Sequence, residues 1–127
     1  MSNVAIVIVS HSIQIAEGTA QMARQMVGDD VVLTPCGGDV DGELGTNVAE
    51  IKRAIEGSYS EKGVLVIVDL GGAETNTEVA IEMLGDKLKR NVKLADAAIV
   101  EGTLMAATEA ASGAGLDEVK KTAEDYR

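Results

Sequence analysis

The sequence predicts an α/β protein: a doubly wound, mainly parallel four-stranded sheet in the order 2-1-3-4, with helices on both faces. Three observations lead there. Residues 4–9 (VAIVIV) and 64–70 (VLVIVDL) are apolar runs rich in β-branched residues, as expected of strands covered on both sides. Segments with helical apolar spacing follow them, so strand and helix alternate. Apolar residues make up 46% of the chain and aromatics only 2%, which leaves Val, Ile, Leu, Ala and Met to build the core. Right-handed crossovers restrict the topology, and four strands then fall into the flavodoxin-like order.

Each element has its own signal. Ser12 is placed to cap the first helix. Its inner face is Ala16, Ala20, Ala23 and Val27, and Gly28, Asp29 and Asp30 end it. Residues 31–34 read as a short second strand. Residues 35–47 (PCGGDVDGELGTN) read as a loop, long for a strand-to-helix connection. Within it Gly38, Asp39, Gly42 and Thr46 belong to a rim that moulds around a partner. Thr46 or Asn47 caps the second helix, which turns Val48, Ile51 and Ile55 inward, and residues 57–63 form a turn. Gly71 and Gly72 follow the third strand as a loop. Thr75 and Glu78 have capping-box spacing, so the third helix is expected from there to about Leu88, with Ala80, Met83, Leu84 and Leu88 inward. Residues 92–94 are a weak last strand. Val100, Leu104, Ala107 and Ala111 mark a fourth helix, and Leu116, Val119 and Ala123 a fifth. No repeat or linker interrupts this order, and residues 1–127 read as one domain.

The formal charge is −10, with 11 Lys and Arg against 21 Asp and Glu. Nucleic-acid binding, which comes mostly from Lys and Arg on phosphates, is disfavoured; a partner with a basic patch is favoured. Cys36 is the only cysteine, so no internal disulfide forms, a reducing compartment is expected, and Cys36 reads as an ordinary loop thiol. The apolar runs are too short to span a membrane and no signal-peptide pattern opens the chain. The expectation is a cytoplasmic protein without membrane insertion. One His and one Cys cannot close a zinc site, and the Gly/Asp loop lacks EF-hand spacing, so no metal or other cofactor is expected.

The chemistry centres on His11, the single histidine. It lies just past the carboxyl end of the first strand, and Asp69 closes the third. In the order 2-1-3-4 these strands are neighbours, so both side chains share the crevice where ligands of such sheets bind. A carboxylate that accepts the proton of one imidazole nitrogen fixes the tautomer and leaves the other nitrogen as a nucleophile. The amino end of the first helix favours a phosphoryl group at the same place. Glu101 is a weaker candidate for the crevice. Several rivals fail on their residues. A receiver domain needs acidic residues after the first strand, where SHS stands. A flavodoxin needs aromatics around its flavin, and neither a P-loop nor a G-x-S-x-G elbow is present. The acidic surface and the loop-rich rim, taken alone, also fit a docking module without catalysis.

The segments IVIVSHS and VLVIVDLGGAETN resemble the mannose-type enzyme IIA domains of the bacterial phosphoenolpyruvate-dependent phosphotransferase system. GGDVDGELGTN and IVEGTLMAATEAASGAGLDEV narrow the resemblance to the phosphotransfer subunits of the dihydroxyacetone kinases that use this system. The similarity runs over essentially the whole chain. It implies that His11 accepts a phosphoryl group from the phosphocarrier HPr, on the nitrogen turned away from Asp69. It implies transfer to ADP on a separate nucleotide-binding subunit, phosphorylation of dihydroxyacetone on a third, and a homodimer. A IIA domain of a mannose-type sugar transporter, donating to a IIB domain, is the alternative. Relatives often carry a small hydroxyl residue after the Asp. Here Gly71 and Gly72 stand there, so Ser10, Ser12 and backbone N–H groups are expected to hold the phosphoryl group.

Overall fold

The computed structural model describes residues 2–126. Four strands, β1 (Ala5–Ser10), β2 (Leu33–Gly37), β3 (Val64–Val68) and β4 (Val92–Ala95), form one sheet in the order β2-β1-β3-β4, and every pairing is parallel. The helices are α1 (Ile13–Val27), α2 (Val48–Ser58), α3 (Gly71–Glu82), α4 (Asp86–Lys89), α5 (Ile99–Ala111) and α6 (Leu116–Glu124). The doubly wound arrangement and the strand order are those the sequence predicts.

Strand side chains alternate between faces, so each apolar run feeds two cores. Ile6, Ile8, Leu65 and Ile67 pack with Ala16, Ala20 and Ala23 of α1, Ala106, Ala107 and Ala110 of α5, and Val119 and Ala123 of α6. Ala5, Val7, Val9, Val64, Val66 and Val68 pack with Ile51 and Ile55 of α2 and Ala73 and Ala80 of α3. The central strands β1 and β3 are buried throughout, whereas the edge strands are buried only in part. A fully buried Val, Leu or Ile contributes roughly 1.5–3 kcal/mol by leaving water. With no Phe or Trp, the core gains its stability from many such contacts, and Ala lets the helices lie close.

Several boundaries differ from expectation. β2 runs on through Pro35 and Cys36 to Gly37 rather than ending at Thr34. Proline has no N–H to donate and is tolerated there because β2 is an edge strand. Cys36 is therefore a buried strand residue rather than a loop thiol. Burial, with the charge of Glu50 adding to it, pushes its thiol up to about 11. The third helix begins at Gly71, so Thr75 is not its cap; its hydroxyl donates to the Gly71 carbonyl one turn back. That helix stops at Glu82, and the separate turn α4 follows Gly85. Met83 is 55% exposed rather than inward. In α5 the buried face is Gly102, Thr103, Ala106, Ala107 and Ala110; Val100, Leu104 and Ala111 are only partly covered. Small residues rather than the largest apolar ones face inward where α5 packs against α1 and α6. Of the two possible caps, Asn47 caps α2, its Oδ1 accepting from Glu50 N at 3.0 Å.

The register fixes the functional end of the sheet. Val9 pairs with Val68, so Ser10 and Asp69 emerge side by side, and Ser10 pairs with Gly37 on the other flank. A Cβ at Gly37 would lie 2.5 Å from the Ser10 carbonyl oxygen and 3.0 Å from Ile13 N, both backbone atoms that cannot step aside. Gly18, inside α1, has nothing within 4 Å of the same position. Gly37→Ala is therefore expected to lower stability by about 1–3 kcal/mol. Gly18→Ala is expected to raise it by about 0.5–1 kcal/mol, the ordinary helix preference. Urea unfolding of the two variants checks both signs.

Candidate functional site

The site is built at the carboxyl ends of β1 and β3 from a short stretch of each. Asp69 accepts four hydrogen bonds. Its Oδ2 receives Ser10 Oγ at 2.7 Å and His11 N at 3.1 Å. Its Oδ1 receives Leu70 N at 2.7 Å and faces His11 Nδ1 at 3.0 Å. Burial alone pushes this carboxyl up, but the hydrogen bonds from Ser10, the His11 ring, His11 N and Leu70 N outweigh it, and Asp69 lies below the usual carboxylate range. An ionised carboxylate can only accept, so the hydrogen between the two side chains sits on Nδ1. In the neutral ring Nε2 then carries the free lone pair. The His11 side chain is 30% exposed and that of Asp69 14%, so the outer nitrogen is reachable while the orienting carboxylate is shielded.

Ser10 is fully buried. Its hydroxyl donates to Asp69 and accepts from Ser12 N at 3.0 Å. Its hydrogen is committed inside the site, so Ser10 holds Asp69 rather than an incoming phosphoryl group, a correction to the expectation. Ser12 Oγ accepts from Ile15 N at 3.4 Å as the cap of α1, and its own proton remains available at the surface.

Gly71 and Gly72 are the first turn of α3 and not a free loop. The first N–H groups of a helix have no carbonyl partner within it, and its dipole makes that end positive. A Cβ on Gly72 would lie 3.2 Å from His11 Nε2. The missing side chain thus keeps space directly beside the free nitrogen. Two helices, α1 from one face of the sheet and α3 from the other, aim their amino ends at His11. The second of these escapes the sequence because the Thr75–Glu78 spacing places the helix start too late. A glycine pair immediately after a strand that ends in Asp was the available signal.

The loop from Gly38 to Thr46 folds over the same place. Gly45 N donates to the His11 carbonyl at 2.8 Å. Asp39 braces the turn, its Oδ1 accepting from Asp41 N at 2.9 Å and Glu43 N at 3.0 Å, and Gly42 N donates to the Asp39 carbonyl. Thr46 is tied to α3 by Asn76, a residue the sequence did not single out. The loop and the start of α1 enclose a depression of about 260 Å³ lined by His11, Ser12, Ile13, Gln14 and residues 42–44. Leu44 stands at its rim, 78% exposed. On the other side of Asp69 a hollow of about 230 Å³ is lined in part by Glu74 and Asp96, which repel an anion. Glu101 is exposed in the first turn of α5 and does not line either depression. Among the described residues no helix is long and apolar enough to cross a membrane.

Comparison with known proteins identifies the family. The chain is similar to the PEP-dependent dihydroxyacetone kinase phosphoryl donor subunit DhaM of Escherichia coli (strain K12), 39% identical over 117 residues, which is 90% of this chain and 25% of that protein. The chain thus spans about a quarter of the length of that relative. It is also similar to the phosphoryl donor subunit DhaM of PEP-dependent dihydroxyacetone kinase 2 from Listeria innocua serovar 6a, at 38% identity over 84% of this chain and 85% of that one. The crystal structure of EF1359, a protein of unknown function, superposes with a TM-score of 0.87 at 31% identity, covering 98% of this chain and 95% of that one. The profile of the EIIA-man family, described as the PTS system fructose IIA component, matches residues 5–120. A match over that span, with relatives 38–39% identical over most of this chain, makes the chain a member of the EIIA-man family.

Proposed function

We propose that this chain is the phosphohistidine carrier of a phosphoenolpyruvate-dependent dihydroxyacetone kinase. His11 takes a phosphoryl group from HPr and passes it to ADP bound on the nucleotide subunit. The ATP so formed phosphorylates dihydroxyacetone on a third subunit. One observation carries the reading: His11 Nδ1 is held 3.0 Å from Asp69 Oδ1 while Nε2 faces the bare edge of Gly72.

The chemistry follows from that geometry. The Nε2 lone pair attacks phosphorus, and the bond from phosphorus to the imidazole of HPr breaks, returning its electrons to that nitrogen. Nδ1 keeps its proton throughout. The phosphorylated ring is cationic, and Asp69 offsets that charge. In the second half an oxygen of the ADP β-phosphate attacks phosphorus, and the electrons of the N–P bond return to Nε2. Ser12 and the first N–H groups of α3 support the phosphoryl oxygens. The rim of Asp39, Gly42 and Thr46 meets the partner proteins, while Gly38 is buried and stands back from it, and the net charge of −10 suits partners with basic faces. The carrier acts as a homodimer, a state checked by sedimentation equilibrium.

The kinase assignment draws on the names of the relatives, of which the Listeria innocua protein matches across most of its own length. The description of the family as a fructose IIA component favours a second reading, in which the acceptor is a transporter IIB domain. Discharge separates them. The protein is phosphorylated with phosphoenolpyruvate, enzyme I and HPr, then offered ADP-loaded kinase subunits or a IIB domain. Discharge to ADP is expected; discharge to IIB alone selects the second reading.

His11→Ala is expected to take up no label, and label retained in that variant would falsify the carrier role. Asp69→Asn is expected to slow labelling about tenfold or more, because a hydrogen bond to a charged group contributes roughly 1.5–3 kcal/mol. Asp69 also ties stability to pH. Its carboxyl is lowered in the folded protein, so its contribution is complete above the unfolded value of about 3.9 and is lost as pH falls through the folded one. The urea midpoint of the wild-type protein is expected to hold its margin over Asp69→Asn at pH 5–6 and to lose it below about pH 3.9.

A further inference from the structure

We infer that Thr46 binds the phosphoryl group carried by His11 and that Asn76 is the residue that positions it. The inference rests on His11 being the phosphoryl acceptor. Asn76 Nδ2 lies 2.6 Å from Thr46 Oγ1. Asn76 stands four residues after Gly72 on α3, so the two share a helix face. Gly72 is the residue whose Cβ would lie 3.2 Å from Nε2. Thr46 in turn follows Gly45, whose N–H is bound to the carbonyl of His11 itself at 2.8 Å. Two independent anchors, one on the helix beside Nε2 and one on the backbone of His11, therefore hold this pair at the end of the sheet where the free nitrogen lies. Both residues are half-buried, which restricts their rotamers and leaves them reachable.

Donor counting gives the pair its chemistry. The amide has two N–H groups and the hydroxyl one O–H, and their mutual bond uses one donor. With the amide as placed, Thr46 Oγ1 accepts and its own proton is free. With the amide turned over, the hydroxyl donates to the Asn76 carbonyl and both N–H groups are free. A donor remains in either orientation, and a phosphoryl group offers three acceptor oxygens. No Lys or Arg lines the depression at His11, so neutral donors have to supply this support. Asp39 and Asn47 supply further hydrogen bonds that hold the loop and its junction with α2. In transfer, charge spreads over the equatorial oxygens of phosphorus as the Nε2–P bond forms and the donor N–P bond breaks, and a fixed hydroxyl stabilises it there.

The test must separate binding of the phosphoryl group from docking of a partner, because Thr46 lies on the rim. The full chain is phosphorylated in parallel with HPr and with phosphoramidate, a small donor that releases ammonia and needs no protein surface. Thr46→Val replaces the hydroxyl by a methyl group of the same shape. It is expected to slow labelling of His11 roughly tenfold or more with both donors. It is also expected to move the phosphorus-31 resonance of the phosphohistidine, and Thr46→Ser is expected to restore both. Asn76→Ala should slow labelling with both donors too, and it carries the test if Thr46→Val does not fold by circular dichroism. Wild-type labelling rates in these variants overturn the inference. So does slowing with HPr alone, which would make Thr46 a docking residue, and so does a failure of Thr46→Ser to restore the rate. An unlabelled wild-type protein overturns the carrier reading along with it.

Discussion

The parallel register of β1 on β3 is the constraint on which the site depends. Val9 faces Val68, and the next residues on the two strands, Ser10 and Asp69, leave the sheet together. A slip of one residue would exchange the two faces of a strand. It would set the larger Ile and Leu side chains of one face against the helices packed on the Val and Ala of the other, so the two apolar clusters lock the register. The 3.0 Å contact between His11 and Asp69 is thus held by side chains several residues away from it.

What the register places, hydrogen bonding then fixes. Asp69 is held by donors from Ser10, His11 and Leu70, so it cannot turn away from the imidazole. Ser10 is buried and also receives Ser12 N, which ties the carboxylate to the start of α1. The winding of the fold adds the second component. A right-handed crossover after a strand starts its helix at the carboxyl edge of the sheet. Since α1 and α3 cover opposite faces, two positive helix ends meet at one point from two sides. Close packing at Gly37 and Gly72 allows that meeting, since a side chain at either would enter the space between β2 and α1 or beside Nε2.

Strands 1 and 3 were legible because both faces are buried and the apolar run is unbroken. With the alternation of strand and helix and right-handed crossovers, they give the strand order and, through it, the approach of His11 and Asp69. Edge strands carry weaker signals, and β2 was cut short because Pro35 argues against a strand except at an edge, a position known only once the order is seen. The sequence puts the start of α3 too late because the spacing of Thr75 and Glu78 is locally indistinguishable from a cap, whereas the helix starts at Gly71 with no side-chain cap at all. Ser10 reads in the sequence as a phosphoryl ligand because composition cannot show which way a hydroxyl points. Asn76 was missed for a related reason. Its partner Thr46 is 30 residues away, and only the tertiary fold makes them neighbours.

The charge around His11 bears on how a carrier works. The depression beside it is lined by no cation and includes Glu43, and the hollow beyond Asp69 includes Glu74 and Asp96. An Arg or Lys here would stabilise the phosphorylated state as much as the state in flight, and such uniform binding lowers no barrier. It would instead deepen the intermediate and slow its discharge. Neutral donors and helix ends hold phosphoryl oxygens more weakly and leave the intermediate ready to react. In the proposed role, the positive charge needed at the moment of transfer arrives with the partner. An acidic carrier attracts such a basic face. In that role the phosphoryl group meets its strongest stabilisation only when donor or acceptor is docked.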